Sequence, residues 1–233
     1  MIRLNKYLKD QGYCSRREAD KWIEEGMISL NGSVVTELGT KVDPDKDSIS
    51  VNKEEVDKKE EEKIYIVLNK PWGYVTTMKA TSVEKKIVID LVDCGIRVCP
   101  VGRLDKETTG MLLLTNDGEL AYELTHPSFE HEKEYEIRVD RNMTEGQLEK
   151  LREGVSLFGS RTRKTIVEKI SPNTFRIILT EGKNRQIRRI CRKVGIQLMN
   201  LKRIRIGNLS MPNLKEGEWK VLDLYELDQI KMR

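Results

Sequence analysis

VGRLDKETTG, residues 101–110, sets one carboxylate, Asp105, between two apolar runs, Val98 to Val101 and Met111 to Leu114. Apolar runs of that length read as buried strands, so the loop between them is short and its carboxylate is pinned, with Arg103 and Lys106 beside it. Gly102 before it and Thr108, Thr109 and Gly110 after it are small residues where a loop bends tightly or lets a ligand approach the backbone. An isolated R-x-D in such a loop is most simply a solvated aspartate. What surrounds the loop therefore carries the reading.

On both sides of it the pattern is strand-rich. Tyr65–Leu68 and Tyr74–Thr77 flank the turn Asn69-Lys70-Pro71-Trp72-Gly73, and further strand signals lie at Tyr135–Val139, Thr165–Ile170, Phe175–Thr180 and Leu201–Ile206. Helix signals fall at Glu84–Val92, Glu119–Leu124 and, behind the capping pair Thr144 and Gln147, at Glu145–Glu153. Strands scattered among a few helices, without a regular strand-helix-strand rhythm, predict an α+β domain with a mainly antiparallel sheet over residues 64–233. After Gly182, Ile187, Ile190, Cys191 and Val194 keep helical spacing as a buried stripe. Arg185, Arg188, Arg189, Arg192 and Lys193 then project elsewhere, up to a stop at Gly195. In the strand that follows, Arg203 and Arg205 alternate with Ile204 and Ile206, which predicts one basic wall running from helix to strand. Arginine predominates over lysine there, and its fork suits phosphate.

Ahead of this domain lies a smaller one. Leu4, Tyr7 and Leu8 have helical spacing up to Gly12, and Ser15-Arg16-Arg17-Glu18 reads as a capping box for a second helix, Arg16 to Glu25. Asn31-Gly32 between Ile28–Leu30 and Ser33–Val35 is a strong hairpin signal, and a strand at Ser48–Val51 closes a module over residues 1–51. Lys6, Lys9, Arg16 and Arg17 gather about the turn between the helices and the start of the second, where backbone N–H groups also favour phosphate. Residues 52–63, NKEEVDKKEEEK, hold ten charged residues among twelve and read as a linker.

The chain has 233 residues, 34% of them charged, and a formal net charge of only +4. The distribution says more than the sum. Residues 1–17 carry five basic residues against Asp10, and residues 181–206 carry nine against Glu181, the pattern of a polyanion held at two places. No apolar run approaches the length of a membrane span, and the charged start MIRLNKYLKD predicts a cytoplasmic protein. Four cysteines without a C-x-x-C pair, and two histidines outside any ligand spacing, give no reason to expect a metal. The thiols read as small, reduced, partly buried hydrophobes.

Together these motifs resemble a family. GRLDKETTG followed by LLLTNDGELAYELTHP, with KEY (133–135), EGKNRQIRR (181–189) and NKPWGYVTT (69–77), is similar to the RNA pseudouridine synthases of the RsuA/RluB/RluE/RluF family. Residues 3–32 resemble the αL RNA-binding motif shared by a small-subunit ribosomal protein and several RNA-modifying enzymes. CSRREADKWIE, HEKEYEIRVD and GKNRQIRRI look most like the F-type large-subunit enzymes of bacteria, a subgroup that can include tRNA anticodon loops among its substrates.

The resemblance implies isomerisation of uridine in RNA, ribosomal RNA first and tRNA as the alternative, with no metal or other cofactor, by a monomer. It implies Asp105 as the essential carboxylate, acting either as a nucleophile at the ribose anomeric carbon or in proton abstraction at the sugar. Arg188 stands at the family's active-site basic position and would balance the Asp105 charge. Tyr135 matches the aromatic that stacks on the flipped uracil, Arg103 is a phosphate or base-displacement contact, and Lys183 belongs to the RNA-binding set. A non-catalytic ribosome-assembly factor of the same fold is the competing reading. A methyltransferase is disfavoured, because no glycine-rich cofactor loop follows a strand.

Overall fold

The computed structural model describes residues 1–56, 62–157 and 159–231. They form two compact units, Met1–Lys63 and Ile64–Arg233.

In the first unit β1 (Ile2–Arg3) leads into α1 (Leu4–Asp10), and α2 (Arg16–Glu24) follows after a turn. The expected capping box is present: Glu18 N–H donates to Ser15 Oγ at 3.2 Å and Ser15 N–H donates to Glu18 Oε2 at 3.4 Å. A cap of this kind contributes about 1 kcal/mol. Next come β2 (Ile28–Leu30), β3 (Ser33–Val35), β4 (Lys41–Val42), β5 (Ile49–Val51) and β6 (Glu54–Glu55). The β2–β3 turn places both Asn31 and Gly32 at positive φ, the twist-matched hairpin geometry. Leu4, Tyr7, Leu8, Ala19, Ile23, Ile28 and Ile49 close a small core between the helices and the sheet.

That core extends beyond residue 51. β6 pairs with β5, and Val56, the one apolar residue of the charged stretch, is buried among the core side chains. The stretch expected to be linker from residue 52 is thus part of the module through Val56. A single buried valine just after a paired strand outweighs the surrounding charge, because the neighbouring Glu54 and Glu55 stay exposed. Residues 57–61 of the expected linker lie outside the described residues.

The second unit is built on a nine-stranded sheet. Its elements in chain order are β7 (Tyr65–Lys70), β8 (Cys99–Pro100), β9 (Thr109–Thr115), α3 (Gly118–Thr125), β10 (Lys133–Val139), α4 (Glu145–Glu153), β11 (Ser156–Leu157), β12 (Ser160–Arg161), β13 (Ile166–Ser171), β14 (Thr174–Leu179), α5 (Gln186–Lys193), β15 (Leu198–Ile206), β16 (Leu209–Ser210), β17 (Trp219–Val221) and α6 (Leu224–Lys231). The strand order is β13-β14-β10-β15-β9-β7-β17, with β16 on β15 and β8 on β9; β11 and β12 form a separate hairpin. Every pairing in the large sheet is antiparallel except β15 with β9. That parallel contact is a seam between two halves, each with its own core. On one side Ile137, Leu148, Leu151, Phe175, Ile190 and Leu201 pack α4 and α5 against the sheet. On the other, Val67, Met111, Leu113, Leu120, Leu124 and Leu227 pack α3 and α6. β9 is buried along its whole length because the opposite face, Leu112 and Leu114, is covered as well, by Val88, Val98 and Leu104.

Two expected elements are not formed. Glu84–Val92 gives only a 3-10 turn, Val88–Leu91, and Tyr74–Thr77 gives a single bridge, Val75 to Ile87. Val75 N–H donates to the Lys86 carbonyl and its own carbonyl accepts from Val88 N–H, so the backbone groups a helix would use are spent across the chain. Conversely, β17 and α6 were not expected. Their helix start is nonetheless visible in the residues, since Glu226 N–H donates to Asp223 Oδ1 and Asp223 N–H to Glu226 Oε2, a capping box. Among the described residues no helix is long and apolar enough to cross a membrane.

Candidate active site

The loop before β9 carries Asp105 to the seam of the sheet, and it is held there from beneath by an unexpected side chain. Lys70, at the end of β7, is fully buried and donates from Nζ to three carbonyls: Thr108 at 2.8 Å, Pro71 at 3.1 Å and Lys106 at 3.3 Å. Burial pushes this ammonium down to about 8, against the opposing pull of Asp105, Glu107 and Glu216. Thr76 adds a second tether, its Oγ1 donating to the Leu104 carbonyl at 2.8 Å and accepting from Leu104 N–H at 3.3 Å. Gly73 N–H donates to the Lys106 carbonyl at 2.9 Å. The 104–108 backbone is therefore fixed by the segment 70–76, which explains how an otherwise irregular loop holds one carboxylate in place.

α5 supplies the opposing wall. Ile187, Ile190 and Cys191 face the core, and burial pushes the Cys191 thiol up to about 12, so it is inert. That orientation turns Arg188 back over the loop. Its Nη2 donates to the Glu107 carbonyl at 3.0 Å and to Thr108 Oγ1 at 3.4 Å, and its Nε lies 3.9 Å from Asp105 Oδ2. Arg188 Nε is buried and has no hydrogen-bond partner among the described residues, which leaves a donor 3.9 Å from Asp105 Oδ2. Arg185 also stands 3.9 Å from Asp105 Oδ2, with a shorter link of 3.2 Å to Glu107. Burial pushes the Glu107 carboxyl up, but its own backbone N–H, Arg185 and Arg188 together hold it below the ordinary glutamate range.

These groups line a cleft of about 270 Å³ bounded by Gly102, Arg103, Asp105, Tyr135, Lys183, Arg185 and Arg188, with Leu179, Ile187 and Leu201 as its apolar walls. The three expected catalytic residues thus converge from a loop, from β10 and from α5. Arg103, Lys183 and Arg185 join them at the rim. Arg189 and Arg192 are exposed on α5, Arg189 being turned to Asn184 at 3.1 Å.

The continuation of a basic wall onto β15 is not formed. Arg203 is buried with its Nε donating to the Met111 carbonyl at 2.7 Å, and Arg205 is paired with Glu134 at 2.7 Å and Glu132 at 2.9 Å. A register shift in the β10–β15 pairing between Glu134 and Tyr135 breaks the simple alternation on which the expectation rested. Gly110 also has a different role from the one expected. It sits inside β9 at φ +98°, and a Cβ there would fall on the Arg203 carbonyl oxygen and 2.8 Å from the Arg203 nitrogen. The close approach is between strands of the seam, not between backbone and ligand.

Lys70, Thr76 and Glu107 were missed as site residues. Lysine is almost never fully buried, so at the end of an apolar run it reads as a strand terminus. In the first unit Lys6 and Lys9 lie 3.8 and 3.2 Å from Asp10, Arg16 reaches Asn5 Oδ1 at 3.4 Å, and Arg17 is exposed. All four cysteines are free, and no cluster of metal-ligating side chains occurs among the described residues.

A carboxylate between two guanidinium groups, in a cleft with a tyrosine and several cations on its wall, suits a polyanionic substrate. The comparisons agree. Residues 64–193 match the RNA pseudouridylate synthase family, and residues 2–48 match the S4 domain. The chain belongs to the RNA pseudouridylate synthase family, as a member with an N-terminal S4 domain. It is 41% identical to the dual-specificity RNA pseudouridine synthase RluF of Escherichia coli K12 over 97% of this chain and 79% of that one. It is 35% identical to the ribosomal large subunit pseudouridine synthase B of Bacillus subtilis 168, over 99% of this chain and 96% of that one. A crystal structure of a pseudouridylate synthase superposes with a TM-score of 0.71 at 26% identity, covering 99% of this chain and all of the other.

Proposed function

We propose that this pseudouridine synthase acts on a uridine of large-subunit ribosomal RNA, flipped from its stack into the Asp105 cleft. The observation that carries the reading is the convergence of Asp105, Tyr135 and Arg188, from three separate elements, on one cleft. The reaction breaks the bond from ribose C1′ to uracil N1, turns the base, and joins C1′ to C5. The C5 proton is released and N1 gains one, so nothing is added or lost overall. Asp105, 3.9 Å from both Arg185 and Arg188, is the group that acts on the ribose, as nucleophile or as proton acceptor. Tyr135 stacks on the extruded base, which offsets part of the few kcal/mol that extrusion costs. Arg103, Lys183, Arg185, Arg189 and Arg192 hold flanking phosphates, and Lys6, Lys9, Arg16 and Arg17 give the S4 unit its share of the RNA. The chain works as a cytoplasmic monomer on residues 64–233, with residues 1–56 as the RNA-capturing module.

The test is incubation of the protein with unmodified 23S rRNA and, separately, unmodified tRNA, without cofactor, followed by carbodiimide-blocked primer extension. A discrete new stop in the rRNA is the expected result. Conversion confined to tRNA transfers the reading to the alternative substrate, an anticodon loop. Tight RNA binding without any stop would favour a non-catalytic assembly factor.

A further inference from the structure

Trp72 is 64% exposed, and no ring contact to it occurs among the described residues. The other two tryptophans are half-buried against a core, Trp22 in the first unit and Trp219 in the second. An indole left bare on a charged surface exposes a large apolar area for no folding gain. Its position is distinctive. Trp72 lies between Pro71, whose carbonyl accepts from Lys70 Nζ, and Gly73, whose N–H donates to the Lys106 carbonyl. The same Lys70 ammonium holds the carbonyls of Lys106 and Thr108. The turn that presents the indole and the loop that presents Asp105 are thus tied together through one buried cation. Along that covalent and hydrogen-bonded path Trp72 is on the order of 10 Å from Asp105, which corresponds to roughly one to three nucleotides of a strand. Yet Trp72 is not part of the cleft wall, so it cannot hold the target base itself.

The surroundings suit a polyanion. Arg103, on the same loop, is exposed and has no ion pair among the described residues; Lys85 is exposed, and Lys86 Nζ lies 5.9 Å over the neighbouring Tyr74 ring. Lys106 is already taken by Glu84 at 2.6 Å. We propose that Trp72 is a stacking platform for an unpaired nucleobase flanking the target uridine. It holds the strand beside the cleft while the target base is turned in it. This rests on the catalytic reading of the Asp105 cleft. Stacking of a base on an indole is tolerant of sequence and is combined with backbone-tracking cations in single-strand binding sites. One exposed aromatic is too small an area for a stable protein partner.

The test uses the full-length protein and a 23S rRNA fragment that it binds. RNA should quench the tryptophan emission of the wild type, and Trp72→Ala should lose that quenching. Trp72→Ala should also raise Kd and KM about tenfold with kcat within about threefold, and Trp72→Phe should recover most of the affinity. Thermal melting of Trp72→Ala should lie close to the wild type, since Trp72 is largely exposed and belongs to none of the core clusters. Unchanged quenching and unchanged Kd in Trp72→Ala would overturn the proposal. If the wild type binds RNA but makes no pseudouridine, the catalytic reading fails, and the quenching and affinity arms still decide whether Trp72 stacks.

Discussion

Asp105 and Lys70 divide the site in the proposed reading, one as the reacting carboxylate and the other as the cation that fixes the backbone beneath it. Asp105→Asn should abolish conversion while leaving RNA affinity within a few-fold, since phosphate contacts from the cleft's arginines are unaffected by one neutral carboxamide. Single-turnover assays paired with filter binding separate the two, and measurable turnover would remove Asp105 from its role. For Lys70 the prediction is a pH profile. The buried ammonium titrates near 8, against about 10.4 in an unfolded chain, so between those values the unfolded state binds the extra proton and stability rises with pH. The effect on activity has the opposite sign, because the neutral amine has one donor fewer for three carbonyls. Wild-type kcat should therefore fall above about pH 8. Lys70→Met should start about tenfold or more lower in kcat, with KM little changed and that alkaline limb absent. A variant with an unaltered profile would show that Lys70 does not position the loop.

Strand β9 and its parallel neighbour β15 are the elements on which the site depends. Their ladder pairs Thr109 with Lys202 and Gly110 with Arg203, the Arg203 guanidinium adds a bond to the Met111 carbonyl, and together they join the half carrying Asp105 to the half carrying Tyr135 and Arg188. Gly110 is required there by both its φ of +98° and the proximity of the Arg203 backbone. Gly110→Ala should cost more than about 2 kcal/mol by urea denaturation, from overpacking and an unfavourable φ together. It should lower activity by more than stability alone accounts for at temperatures where the variant is still folded. A fully stable, fully active Gly110→Ala protein would mean that the two strands can separate without consequence. Gly32, which sits at positive φ but meets nothing within 4 Å, is the control, with a cost limited to backbone strain.

For the whole molecule the question is how RNA affinity is shared between two basic surfaces. Exchanging Lys6, Lys9, Arg16 and Arg17 for glutamine leaves every matched catalytic position intact. The slope of log affinity against log salt should flatten by up to about three, at 0.7 to 0.9 per lost phosphate contact. KM should rise more than kcat falls. The partial engagement of Lys6 and Lys9 with Asp10 and of Arg16 with Asn5 sets the observed change below that ceiling. The measurement is a salt series of Kd and of KM on one rRNA fragment. Unchanged slopes would place RNA capture elsewhere.

The Ser15 and Thr144 capping boxes, the Asn31-Gly32 hairpin, the buried stripe of α5 and most of the apolar strands are legible in the residues alone, because these are local: spacing, turn chemistry and side-chain type suffice. The sequence motifs also single out Asp105, Tyr135 and Arg188, three residues that line one cleft. Only the tertiary structure decided that Lys70 is buried beneath the loop, that Glu107 joins the arginine cluster, and that Arg203 and Arg205 turn inward to Met111, Glu132 and Glu134. The same holds for Val56, which ends the first core, and for Val75, whose bridge to Ile87 replaces a helix. In each case the partner lies in another segment of the chain, and no periodicity within one segment reports it. A register shift in β10–β15 interrupts the alternation of side chains along β15, and a buried cation is stable only where carbonyls from several segments meet it.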